Sequence, residues 1–370
     1  MSENIYPIDA ALDLAYAANQ EPNVAARALL IEMAGVVINR DPDSPLGTYV
    51  SEEGHDVAEQ AEAANIARAQ SLLDHIRSDR TIGNLIKRHQ IKQAARFVFD
   101  ELGFVEVDTP VLGSAMTEYT KDNFRVTGNA GEFFLPQSPQ VYKQALVINT
   151  IPRYFQFAKC FRDEDYGSGE RNDQLHEFTQ IDFELRCEDE TELRGYAEEV
   201  VSQLFTKFGQ ECTRPFPVID YQECLAKYGT DKPDLRRDGI ENAFLWVVNF
   251  PQFVKNEQGE AVTTHHPFQM PVIQDVSDIK NNTYEIGSST FDLVLNGVEI
   301  GGGDMRINDY EIQKEVLEVL GLKPAQFSLL LESLKDGKAP KHGGMAIGLD
   351  RITMAVTGAG HISEVTAFNL

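Results

Sequence analysis

The chain has 370 residues, enough for one large domain or two modest ones. Its 33 Lys+Arg against 58 Asp+Glu give a net charge of −25, which opposes non-specific binding to phosphate backbones, so any nucleic-acid contact must come from a local basic patch. No stretch approaches the roughly 18 apolar residues of a membrane span, the N-terminus MSENIYPIDA lacks a signal-peptide layout, and Cys160, Cys187, Cys212 and Cys224 show no CxxC pairing, which points to reduced thiols in a cytoplasmic protein without a zinc site.

Residues 1–80 read as a helical appendage. Leu12, Leu14, Ala15 and Ala18, then Leu29, Leu30, Met33, Val36 and Val37, recur at helical spacing. The Pro-, Gly- and acid-rich stretch 40–54 is a loop, and 55–78 returns to an Ala-rich helical pattern. Only Arg27, Arg40, Arg68, Arg77 and Arg80 stand against fourteen acids here, a poor surface for gripping RNA. A helix is expected over 84–102, stopped by Gly103. Strand-like runs follow at 104–112, 153–161, 177–185, 244–250, 289–300 and 344–350, with helices at 190–208 and 309–321 between them. The pattern reads as α+β, a six- or seven-stranded antiparallel sheet flanked by helices over 81–370.

Three stretches carry candidate chemistry. In 160–185 two strands flank a polar loop. Alternation puts Arg162 and Glu164 on one face of the first arm, and Phe178, Gln180 and Asp182 on one face of the second. Charges and an aromatic there are costly to bury without a ligand; an ion-paired sheet surface is the alternative. In LVLNGVEIGGGDMRI (293–307) three glycines either let backbone approach a ligand closely or form a tight turn. Asp292 and Glu299, seven residues apart beside them, suit Mg²⁺ that also holds phosphate oxygens. The third stretch, HGGMAIGLDR (342–351), ends in Arg351, one more cation for phosphates.

Together these pieces resemble the class II aminoacyl-tRNA synthetases. FRDE with FTQID resembles that class's second signature motif, GLDR the third, and FVEVDTPVL, with Pro110, the first. LPQSPQVYKQ (135–144), RYFQFAKCFRDED (153–165), EFTQIDFE (177–184), HHPF (265–268), EIGGGDMRI (299–307) and HGGMAIGLDR resemble the bacterial aspartyl branch, over about 81–370. The resemblance implies that ATP activates L-aspartate as aspartyl-adenylate, with transfer to tRNA. It implies a homodimer through the helix 84–102 and the strand ending at Pro110.

It also implies site roles. Arg162 and Arg351 are the catalytic cations. The ATP contacts are Arg162, Asp163, Glu164, Phe178, Glu299, Gly348, Leu349, Asp350 and Arg351, with Phe178 and Arg351 on opposite sides of adenine. Asp292 and Glu299 hold Mg²⁺. The aspartate contacts are Glu118, Ser138, Gln140, Lys143, Arg162, Gln180, Asp182, His265, His266, Gly302 and Arg306, with Lys143 and Arg306 on the side-chain carboxylate. By the same resemblance the chain lacks the β-barrel anticodon-binding domain and the domain inserted after YGTDKPDLR (228–236), and its 165–176 loop is lengthened. Reduced tRNA contacts are therefore expected. The alternative is a paralogue that passes activated aspartate to ammonia, a carrier protein or a small molecule.

Overall fold

The computed structural model describes residues 63–113, 123–164, 173–236 and 241–368. The expected helices before residue 63 and the expected aspartate contact Glu118 lie outside the described residues. The chain divides into two units, Met1–Asp79 and Arg80–Leu370. In the first, a helix runs over 63–77.

In the second, α1 (Asp79–Glu101) buries Ile91, Ala94, Ala95, Val98 and Phe99, the 3- and 4-residue spacing of one helix face. The chain leaves the helix through Gly103 at φ 75°, a left-handed conformation that favours glycine. The strands are β1 (Val105–Glu106), β2 (Arg125–Gly128), β3 (Gly131–Phe134), β4 (Arg153–Phe161), β5 (Glu177–Arg186), β6 (Val218–Asp220), β7 (Phe244–Val248), β8 (Phe253–Lys255), β9 (Ala261–Thr263), β10 (Thr290–Leu295), β11 (Val298–Met305) and β12 (His342–Gly348). Among them stand α2 (Gln140–Asn149), α3 (Glu190–Lys207), α4 (Tyr221–Tyr228), α5 (Asp278–Asn281), α6 (Tyr310–Val319), α7 (Ser328–Leu334) and α8 (Leu349–Thr357).

Eight strands form the main sheet, in the order β1-β4-β5-β12-β11-β10-β7-β6. Its six central strands are antiparallel, within the expected range. The two short edge strands β1 and β6 add to them in parallel. The strand expected over 104–112 is ordered as a strand only at Val105–Glu106.

The run 289–300, expected as one strand, is a hairpin. Asn296 (φ 53°) and Gly297 (φ 87°) turn the chain between β10 and β11, the Asn-Gly signal of a tight two-residue turn. The three glycines Gly301–Gly303 therefore lie inside β11 and are not a turn.

Period-2 alternation divides this sheet into two faces. Phe155, Ile181, Phe183, Leu185, Phe291, Leu293, Met345 and Ile347 share one core with Phe99 of α1, Leu193 and Val201 of α3 and Ile352 of α8. Phe99 stacks on Phe155 with centroids 4.5 Å apart. The alternate residues Gln156, Asp182, Glu184, Asp292 and Asp304 are just as buried, yet polar.

Candidate active site

A cavity of about 680 Å³ lies over the polar face. Its wall draws on β5, β10, β11 and β12, the start of α2, and the segments around 173–175, 231–232 and 263–266. One part is an ion network with almost no exposure. Lys143 Nζ donates to Asp182 Oδ2 at 2.7 Å and lies 3.4 Å from Glu184 Oε2. Arg306 forks onto Glu184 through Nε (2.8 Å) and Nη2 (2.9 Å). Arg306 Nη1 lies 2.6 Å from Asp304 Oδ1 and 2.7 Å from His266 Nε2, and that same His266 nitrogen is 3.1 Å from Asp304 Oδ2. Gln140 Nε2 is 3.0 Å from the same His266 nitrogen.

A bidentate guanidinium on a carboxylate fixes both groups, and buried charges demand such pairing. Burial pushes Asp182 up to about 6 even with Lys143 opposing it. Burial also opposes charge on Glu184, but Arg306 and Lys143 outweigh it and hold the carboxyl below its usual range. Asp182 Oδ1 is buried in the cavity wall with no hydrogen-bond partner.

The second part holds more exposed groups. The Arg162 guanidinium sits over the Phe178 ring at 5.1 Å, a cation–π contact. Arg351 donates from Nη1 to the Glu299 backbone carbonyl (2.6 Å) and lies 3.2 Å from Asp173 Oδ2. Lys232 Nζ donates to Glu299 Oε2 at 2.7 Å. His265 Nε2 is 3.0 Å from Asp292 Oδ1. Burial and then the charge of Glu299 push Asp292 up, whereas Lys232 and Arg351 overcome burial and hold Glu299 down at about 2. Asp292 keeps His265 above the usual imidazole range against the effect of burial. No group of three or more His, Cys, Asp and Glu side chains among the described residues has the arrangement of a metal centre.

Bare backbone makes room for the carboxylates. A Cβ on Gly344 would stand 1.8 Å from Glu184 Oε2, and one on Gly302 2.6 Å from Asp292 Oδ1. Both distances are far inside van der Waals contact. Gly302 pairs with Asp292 across β10–β11, and Gly344 with Glu184 across β5–β12, so each glycine clears the carboxylate beside it.

The cavity wall brings together Ser138, Gln140, Lys143, Arg162, Glu164, Phe178, Gln180, Asp182, His265, His266, Asp292, Glu299, Gly302, Arg306, Gly348, Asp350 and Arg351. Asp163 is exposed and Leu349 is fully buried in the apolar core, and neither is in this wall. Both oxygens of Asp350 are engaged, by Arg88 Nη1 (2.5 Å) and the Thr179 amide (2.9 Å), which fixes α8 to the start of β5. Sequence reasoning missed Glu184, Asp304 and Lys232. Glu184 is two residues past Asp182 and Asp304 two before Arg306, so strand alternation carried the signal for both. Nothing local marks Lys232, which meets Glu299 across 67 residues of sequence.

The sequence pattern of the family described as tRNA synthetases class II (D, K and N) matches residues 64–370. An aspartate–tRNA(Asp/Asn) ligase from Campylobacter hominis is 30% identical, over 79% of this chain and 72% of its own length. One from Chlamydia trachomatis is 29% identical, over 94% of this chain and 80% of its own. The Campylobacter alignment runs over 429 positions while holding 79% of this 370-residue chain, so a long stretch of the relative faces a gap. Among solved structures, an asparaginyl-tRNA synthetase from Entamoeba histolytica superposes with a TM-score of 0.64 at 21% identity, covering 80% of this chain and 68% of that one. That likeness concerns the fold.

Proposed function

The chain belongs to the class II tRNA synthetases (D, K and N), and on that ground we propose that it activates L-aspartate with ATP and passes the aspartyl group to tRNA. The observation that carries the reading is one cavity uniting two chemistries: a buried Lys143–Arg306 pair framed by carboxylates, and an Arg162–Phe178–Arg351 set fit for a nucleotide triphosphate. The ligase names of the relatives support it.

In this reaction the aspartate α-carboxylate oxygen attacks the α-phosphorus of ATP. The new O–P bond forms as the bond to the β-phosphate oxygen breaks, and pyrophosphate leaves. No general base is required, because the carboxylate is already an anion at neutral pH. Arg162 neutralises the charge that grows on the α-phosphate, a positioned cation acting in a water-poor site. Phe178 supplies an adenine platform, Glu164 reaches the adenine edge, and Arg351 covers the other side toward the γ-phosphate. Gly348, Leu349 and Asp350 carry Arg351 into place, and Asp163 lies next to Arg162 and Glu164.

Lys143 and Arg306 meet the side-chain carboxylate. The unpartnered Asp182 Oδ1 is suited to the substrate ammonium. Ser138, Gln140, Gln180, Gly302, His265 and His266 line the amino-acid end, and the family resemblance adds Glu118, which lies outside the described residues, as a contact of the amino group. Two carboxylates beside a phosphate site fit Mg²⁺, which takes few protein ligands and draws the rest from phosphates and water. Asp292 and Glu299 would hold it, and it would supply charge neutralisation on the phosphate oxygens. Displacing His265 and Lys232 from these carboxylates frees both for that role.

Two copies pair through α1 and the segment after it. Exposed Ile82, Ile86 and Phe97 of α1 and Val111 and Leu112 of the segment after it support this, since exposed apolar side chains grouped in this way favour a partner. Cys160, Cys187, Cys212 and Cys224 form no disulfide, which supports a reducing cytoplasmic location. No helix among the described residues is long and apolar enough to cross a membrane.

A second reading is transfer to ammonia, a carrier protein or a small molecule. It is favoured by the fourteen acids of residues 1–80 and by the gap that the longer relatives leave in the alignment. The deciding experiment incubates the protein with ATP, Mg²⁺, labelled aspartate and total tRNA. Base-labile label in acid-precipitable RNA is the expected result. Aspartate-dependent pyrophosphate exchange without that label supports the second reading. Absence of exchange ends both.

A further inference from the structure

Around Arg306 the buried charges do not balance. Lys143 and Arg306 are the cations; Asp182, Glu184 and Asp304 are the carboxylates, each at most 2% exposed by side chain. Glu184 takes the Nε and Nη2 edge of the guanidinium, and Nη1 lies 2.7 Å from His266 Nε2 and 2.6 Å from Asp304 Oδ1. Asp304 is on β11 two residues before Arg306, on the cavity side of the strand, and forms part of the cavity wall. Burial opposes its charge, but Arg306 and then His266 outweigh that and hold it well below the usual carboxylate range. An incoming carboxylate therefore meets a guanidinium already neutralised twice, with a fixed anion next to it.

We propose that Asp304 is a specificity-determining residue of the amino-acid pocket: its carboxylate cancels the Arg306 cation toward the incoming side chain, so the pocket takes a neutral carboxamide about as readily as a carboxylate. The proposal rests on reading this cavity as the amino-acid site. Discrimination between a carboxylate and its isosteric amide comes almost wholly from local charge, since the two have the same shape. A pocket with surplus cations selects the carboxylate. A pocket with a surplus anion gives that selectivity away, and screening by salt is weak at this depth.

The test is calorimetric titration of the full chain with L-aspartate and with L-asparagine, for the wild type, Asp304→Asn and Asp304→Ser. The wild type binds the two within ~10-fold of each other. Removing the Asp304 charge moves the ratio of dissociation constants toward aspartate by roughly 10- to 100-fold. A fold defect in one variant weakens both ligands and does not tilt the ratio, and the second variant replaces one that does not fold. A ratio within about 3-fold of the wild-type value in both variants overturns the proposal. Should the wild type bind neither amino acid, the aspartate-activating reading fails on its own. In that case aspartate binding gained by either variant upholds the role of Asp304, and its continued absence overturns it.

Discussion

The two faces of the central sheet are cut from the same strands and are about equally buried, yet they are held by different physics. On β5, Ile181, Phe183 and Leu185 enter a core with α1 and α3, while the intervening Asp182 and Glu184 enter the ion network. The apolar face gains roughly 25 cal/mol for each Å² withdrawn from water and needs no particular partner. The polar face gains little net stability, because desolvation offsets most of the attraction in a buried pair. What it obtains is fixed geometry. Packing on one side of a sheet thus supports charge placed in advance on the other, and the two sides should fail in different ways.

Gly344→Ala tests the polar face most severely. Its Cβ collides with Glu184, so overpacking of about 1–3 kcal/mol adds to roughly 3–5 kcal/mol for a broken buried pair. Chemical denaturation should show a protein near or past the limit of folding. Phe183→Ala should cost about 3–5 kcal/mol from the apolar face, with the ion network intact in what remains folded. If it instead removes amino-acid binding at low temperature, where the variant is folded, the faces are not separable.

Arg162→Ala should do the converse. It should lower aspartate-dependent pyrophosphate exchange by roughly 10²–10³-fold while leaving the melting temperature within a few degrees. Exchange at the wild-type rate would falsify the electrostatic role given to Arg162.

The smallest effect concerns His342, fully buried at the edge of the network, with Nδ1 2.9 Å from the Pro340 carbonyl. Burial holds its pKa below the ordinary 6.5, so the folded state resists protonation while the unfolded chain does not. Between the folded value and 6.5 the unfolded state binds more protons, and stability from this group falls as pH drops through that window. His342→Asn should flatten that part of the plot of melting temperature against pH. An unchanged slope below pH 6.5 would remove His342 from the account.

The extent to which the sequence disclosed this arrangement follows from the range of each interaction. β4 begins and ends where the strand expected over 153–161 does, and β5 extends one residue past the expected 177–185, because the pattern of each strand is local. The β10–β11 hairpin was hidden by reading 289–300 as one strand, although Asn296-Gly297 carries a strong local turn signal. Lys143 and Arg306 were legible as cations awaiting a carboxylate. That Glu184 occupies Arg306 depends on a strand 122 residues away, whereas Asp304, two residues before Arg306 on the same face, was within reach of strand alternation. The purpose of Gly302 and Gly344 is likewise visible only from the neighbouring strand.

Those two glycines also govern how the chain tolerates copying errors. A codon change at either one adds a side chain where a carboxylate already stands, so it strains the sheet and disturbs the charges in a single step. A change at Asp292 or Glu184, the acids beside them, alters the charge without adding a side chain to the neighbouring strand. Shortening the Asp292 side chain would open the space at 302, whereas at 344 the Phe183 carbonyl, 2.7 Å from an added Cβ, would still bar alanine. Glycine at 302 and 344 thus makes two positions where one added carbon is felt at once by the strand and by the carboxylate beside it.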